Sequence, residues 1–214
     1  MPYGSVNQTD VLTDLAFLEG NQSVPTSGID DWKTFIQRTL EEAWRAYPWD
    51  FAKTVASVSM VNGIGTLASG AQINGIYDIR ASSSGSGNDH IYVQIPYEEQ
   101  DDWDANDYRY WITGDAFQPV INTVATDTNL LAWYKPLPAQ INASVATRFP
   151  DSMILALGAQ RFIRKAENPQ ADISQEEQIF QKRLEELWGW QNRQKPRKAR
   201  RFYSDKGVGT VGGD

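Results

Sequence analysis

The apolar positions of residues 29–51, IDDWKTFIQRTLEEAWRAYPWDF, fall on one face of a helix. Trp32, Phe35, Ile36, Leu40, Ala43, Trp44 and Tyr47 follow helical spacing, and Lys33, Gln37, Arg38, Glu41, Glu42 and Arg45 form a solvated back. Ser27, three residues before Asp30, predicts a capping box, and Asp30 and Asp31 suit the positive end of the helix dipole. Pro48 ends the helix, because a proline disfavours helical geometry in the residue before it. Burying these side chains is worth at most about 10–15 kcal/mol, at roughly 1.5–3 kcal/mol for each large one. The stretch is a packing element, better defined than any catalytic pattern in the chain.

Beyond Pro48 the period becomes that of strands. FAKTVASVSMV (51–61) alternates, and Asn62-Gly63 marks a tight turn before IGTL. Further strands are predicted at 73–82, 90–95, 107–113, 119–125 and 129–135, with SSSGSGN (82–88) as a loop between two of them. Such spacing predicts an antiparallel sheet or a small sandwich. After KPLPA (135–139) the helical period returns: Phe149, Met153, Ile154, Leu157 and Phe162 predict a helix over 150–167. Ser174 and Glu177 predict a capping box for a last helix, with Phe180, Leu184, Leu187 and Trp188 on its buried face. Residues 1–28 are polar and broken by glycines and a proline, with one short apolar segment able to dock as a partial helix.

The resulting expectation is an α+β fold: a three-helix bundle from both chain ends, with an inserted antiparallel β domain and an extended C-terminal tail. Its parts are an N-terminal arm (1–28), a helical bundle domain (29–50 and 148–192), the β domain (51–140) and a basic tail (193–214). The core is expected to contain Trp32, Phe35, Ile36, Leu40, Trp44, Leu157, Phe180, Leu184 and Trp188.

Composition narrows the chemistry. With no cysteine and one histidine among 214 residues, disulfides, thiolate nucleophiles, Cys-based metal centres and multi-His sites within one chain are excluded. No signal peptide or membrane-length apolar run is present, which predicts a cytosol-assembled protein without a membrane partner. Aromatic residues make up 12% of the chain, which favours broad, rigid contact surfaces. The net charge of −7 divides unevenly: residues 1–192 hold 25 acidic and 13 basic residues, and residues 193–214 hold two and seven. An acidic body with a basic tail points to partners of different charge.

Four patterns with formal chemical meaning read as structure. Gly63-Ile-Gly65-Thr-Leu-Ala68 fits a relaxed dinucleotide fingerprint, but the following LASGAQING is not helical, so this is a hairpin. Asp102, Asp104 and Asn106 open like a calcium loop, yet Asp107 stands where the glycine belongs and Thr113 where the bidentate glutamate belongs. His90 has no nucleophile elbow to serve. Glu98 and Asp102 near Trp103, Trp111 and Trp133 leave open a carbohydrate-active or carbohydrate-binding β domain. No cofactor is expected.

The tail carries the sharper signal. Arg193, Lys195, Arg197, Lys198, Arg200 and Arg201 place six cations in nine residues, followed by Phe202 and Tyr203. This suits phosphate contact with base stacking, hence a nucleic-acid-binding module. It equally suits docking on an acidic protein surface with the two aromatics as anchors.

EEAWRAYPWDF, the β segments INGIYDIRAS, YRYWITGD, FQPVINTV and LLAWYKPLPAQI, and the helix opening RFPDSMILALGAQRFIRKAE resemble, in that order, a phage head-to-tail adaptor (connector, or neck ring) protein. The resemblance covers about residues 29–195. It implies a non-enzymatic virion protein forming a homo-oligomeric ring, expected to be dodecameric, that joins the portal protein to a downstream tail or neck protein. It implies portal contact through Arg197, Lys198, Arg200, Arg201, Phe202 and Tyr203, and passage of genome DNA through the ring without sequence-specific binding.

Overall fold

In the computed structural model, residues 5–67, 71–81, 90–104, 106–115 and 118–194 are described. Among them four α-helices and seven strands run in the order α1 (Gln8–Leu18), α2 (Ile29–Ala46), β1 (Thr54–Ser59), β2 (Ile64–Thr66), β3 (Ala71–Ala81), β4 (Ile91–Gln94), β5 (Arg109–Gly114), β6 (Pro119–Thr123), β7 (Asn129–Pro136), α3 (Ser152–Glu167) and α4 (Ser174–Gln194).

The three-helix bundle with an inserted small β domain is therefore corrected. The molecule is a mixed α/β fold of four helices and a seven-stranded, nearly closed, barrel-like sheet. The first departure is α1. Asn7 accepts from the Asp10 amide and the Asp10 carboxylate accepts from the Asn7 amide, each at 3.0 Å, a reciprocal cap. Val11, Leu12, Leu15 and Ala16 then bury on the helical core, with α1 packed chiefly on α3. An arm with a partial helix becomes a full member of the helical layer.

The second departure is the sheet. Its order is β1-β7-β3-β4-β5-β6-β2, with β4 and β5 parallel and the other pairs antiparallel. A tight turn folds β2 back beside β1, so the two ends of the sheet approach each other. A Cβ on Gly65 of β2 would lie 2.4 Å from Met60 Sδ and 2.6 Å from Val58 Cγ1, a contact only glycine permits. The interior holds Val58, Leu67, Ile79, Ile121 and Leu130 with the rings of Tyr92, Tyr110 and Tyr134. Burial, the bond to Asp127 at 2.5 Å and the Asp127 charge raise the Tyr92 phenol; burial, then the Asp78 charge, push Tyr110 up to about 12.

The helical layer encloses its own core. Ile36, Leu40, Phe180 and Leu184 are wholly buried, and Trp44 nearly so. Trp32, Phe35 and Trp188 pack partly buried against them. Leu157 is half-buried, because Ile154, Leu155, Ala156 and Ala159 occupy the inner face of α3. Gly28, at φ 73°, stands at the start of α2 without a side-chain cap, so Ser27 does not cap it and Asp30 pairs with Lys33 at 2.8 Å. At the start of α4, Ser174 bonds Asp172, while Glu177 turns to Arg161.

Arg161 locks three helices together. It is 4% exposed, donates to the Gly158 carbonyl at 3.0 Å, reaches Glu42 of α2 at 2.7 Å and pairs with Glu177 of α4. Its guanidinium also lies over the Phe180 ring at 4.1 Å. Removing one partner of such a buried group strands the other charge. Arg161→Ala is expected to lose about 3–5 kcal/mol in chemical denaturation, and Arg161→Met, which keeps volume and removes the charge, distinctly less. Equal losses in both would contradict the ion-pair account. Trp44→Ala is expected to cost about 3–5 kcal/mol, measured the same way.

Candidate functional site

Pro48 forces Tyr47 into extended geometry (φ −141°, ψ 157°), and the chain leaving α2 turns into an aromatic corner. Trp49 is fully buried there and donates to the Ala43 carbonyl at 2.7 Å. Its ring meets Phe51, Phe149 and Trp188 with centroids 5.3, 6.0 and 5.8 Å away, and Trp188 stacks on Tyr47 at 5.4 Å. The corner fixes where α4 sits relative to the start of the sheet. Two bonds tie the end of β7 to it: Trp44 Nε1 donates to the Pro136 carbonyl at 2.8 Å, and Lys135 Nζ to the Tyr47 carbonyl at 2.9 Å. Beside this seam lies a cleft of about 330 Å³ walled by Trp44, Tyr134, Pro136 and Leu137, with the exposed Arg148 among its lining residues.

The patterns singled out by sequence take structural places. Gly63-Ile-Gly65 forms the β1–β2 hairpin and the start of β2. His90 stacks on Tyr108 at 4.0 Å, and its neighbour Asp89 lies outside the described residues. Glu98 and Asp102 are exposed on a 3-10 turn (Tyr97–Asp102), without the enclosure that sets a catalytic carboxylate apart. Arg109 covers one face of Trp103 at 4.2 Å and Arg80 one face of Trp133 at 5.1 Å, faces on which a sugar would stack. The Asp104 amide donates to Asp107 at 2.7 Å, which closes that acidic turn on itself. Among the described residues no group of three or more acidic or His side chains is placed to hold a metal, and no helix is long and apolar enough to cross a membrane. Arg197, Lys198, Arg200, Arg201, Phe202 and Tyr203 lie outside the described residues.

What the structure adds is surface. Phe17 is 75% exposed on α1, and Val61 and Ile64 are 70% and 52% exposed beside the β1–β2 turn. On the outer face of the sheet, Val55 of β1 lies opposite Trp133 of β7, and Ile91 and Val93 of β4 are also exposed. Arg80 and Asp78 on the same sheet neutralise each other at 2.7 Å. The legible signal for the turn was the flanking of Asn62-Gly63 by aliphatic residues; solvent exposure of the other positions depends on the sheet order.

Exposed apolar side chains around a rigid frame suit contact with other macromolecules. The chain belongs to the SU10 adaptor protein family, whose model matches residues 1–204, and is thus a phage structural adaptor and a component of the virion. Among curated proteins, none matches the chain.

The seam makes a pH-dependent prediction. Burial lowers the Lys135 ammonium from 10.5 to about 8. Between these values the unfolded chain binds more protons than the folded one, so stability rises with pH; below about 8 both states are protonated and Lys135 contributes no slope. Raising the pH from 8 to 9.5 is expected to add about 1–2 kcal/mol to the unfolding free energy. Lys135→Met should abolish that increment; an unchanged increment in the variant would assign it elsewhere.

Proposed function

We propose that this phage adaptor forms the neck ring that joins the portal to the tail and surrounds the path of the exiting DNA. The membership of residues 1–204 in an adaptor family carries the reading. Charge supports it: the body carries 25 acidic against 13 basic residues, and such a wall repels a DNA backbone rather than holding it. In a twelve-membered ring this excess sums to well over a hundred charges, at about twelve per copy. DNA would therefore slide past without sequence-specific binding.

The basic tail has the opposite sign and the opposite task. Its six cations and two aromatics suit docking on an acidic portal surface. The opposite side of the ring would meet a tail or neck protein. Assembly in the host cytoplasm and residence in the virion neck follow from this reading.

The test is particle mass and shape, by native mass spectrometry and negative-stain imaging, with and without the cognate portal. A ring formed alone or on the portal is the expected outcome; a monomer that ignores the portal would sink the proposal. Deleting residues 195–214 is expected to leave the thermal unfolding transition in place while abolishing portal attachment. Normal attachment by the shortened chain would move the contact elsewhere.

A further inference from the structure

Two apolar surfaces at separate places on this acidic chain have no partner among the described residues. The first is the β1–β2 hairpin. Asn62 and Gly63 have φ 52° and 77°, the backbone of a two-residue type I′ turn. Val61 and Ile64 exchange both backbone bonds across it, at 2.9 and 3.1 Å. The Thr123 amide holds the Gly63 carbonyl at 2.8 Å, and the Met60 amide holds the Thr128 carbonyl at 2.8 Å. A Cβ on Gly63 would lie 2.3 Å from the Thr123 carbonyl oxygen, so this close approach requires glycine. Val61 and Ile64 are thus presented as a rigid, neutral knob whose docking costs little conformational entropy. The nearby Asp127 carboxylate is engaged by the Tyr92 hydroxyl.

The second surface is a cleft of about 530 Å³ beside the end of α1, walled by Ala16, Phe17, Gly20, Asn21 and Val24. None of its seven lining residues is charged. The neighbouring Glu19 is held by Gln160 of α3 at 2.8 Å. Knob and cleft do not share an element: the hairpin follows Ser59, roughly 20 Å of strand beyond the helix–sheet seam, and the cleft belongs to the helical layer.

We propose that the Val61–Ile64 hairpin of one copy seats in the Phe17 cleft of the next. The occupant is a second copy because of charge. Bodies with 25 acidic and 13 basic residues repel one another, and they can approach without like-charge juxtaposition where both faces are neutral. A knob and a cleft at different places make a head-to-tail contact, which propagates into a ring when its rotation closes. This inference rests on the ring reading and names the contact within it.

The test uses dead-end variants of the full chain. Val61→Asp with Ile64→Asp removes the knob, and Phe17→Asp blocks the cleft. All three positions are solvent-exposed, so the melting transition is expected to stay in place. Each variant alone is expected to lose the ring, on the portal and in solution. Mixed one to one, each supplies the surface the other lacks, and association stops at two copies by native mass spectrometry.

The absence of native cysteines gives a second measurement on otherwise intact chains. A chain with Val61→Cys and Gln22→Cys is expected to yield a ladder of cross-linked copies with a short bis-maleimide. The two single variants, mixed, are expected to yield only a two-copy band. Wild-type rings that persist in either aspartate variant, or a mixed pair that fails to cross-link while wild type forms rings, overturn this contact and leave the ring reading standing. Wild-type protein that forms no ring on the portal, together with a Val61→Cys, Gln22→Cys chain that does not cross-link, overturns both.

Discussion

The wholly buried indole of Trp49 is the constraint on which the rest of the arrangement depends. Pro48 ends α2 and sends the next residue inward, and the indole N–H is satisfied only by turning back to Ala43. That geometry brings the residues before β1, the residues before α3 and the last turns of α4 against a single ring. A buried tryptophan with a placed hydrogen bond is stiff as well as apolar, so it fixes orientation along with proximity. The Trp44 and Lys135 bonds then carry that orientation to β7, the central neighbour of both β1 and β3.

β7 is the strand through which the helical layer addresses the sheet. Its burial alternates along its length, and Lys135 breaks the alternation near the seam. A charged amine there, bonded to one backbone carbonyl, costs more than an apolar residue of similar size. What it provides is a directional tie where apolar packing alone would let the two layers slide. At the far end of the same sheet, the hairpin is pinned by backbone bonds to β6 and to the residues before β7. Orientation set at the aromatic corner is therefore delivered, through strands, to a surface on the opposite side of the sheet.

Local periodicity reported much of this and could not report the rest. The buried face of α2, the approximate positions of the strands and the Asn62-Gly63 turn were legible, because each depends on residues close in sequence. The near-closure of the sheet was not, since it depends on β2 returning to β1 and on the parallel β4–β5 pair, choices made between distant segments. α1 was underread because glycines and polar residues flank a helix of only 11 residues, although Asn7 and Asp10 carried a capping signal. The burial of Arg161 was not legible in local periodicity, since it follows from two glutamates on other helices. The basic tail was legible as charge, and its structure falls beyond the described residues.

Charge and apolar exposure together limit how such a chain can assemble. A strongly acidic body resists self-association through most of its surface, which protects the free subunit from aggregation at its exposed Val, Ile and Phe side chains. The same repulsion means that a contact between two acidic bodies would favour neutral faces with a rigid fit, where attraction between the bodies does not compensate for poor geometry. The hairpin knob satisfies both conditions, and the outer face of the sheet, with its Asp78–Arg80 pair, satisfies only the first. A broad neutral face discriminates poorly between partners, whereas a knob held at a fixed distance from the seam would restrict the orientation of whatever it meets. Closing a ring requires that second property at every joint, since small angular errors accumulate from copy to copy.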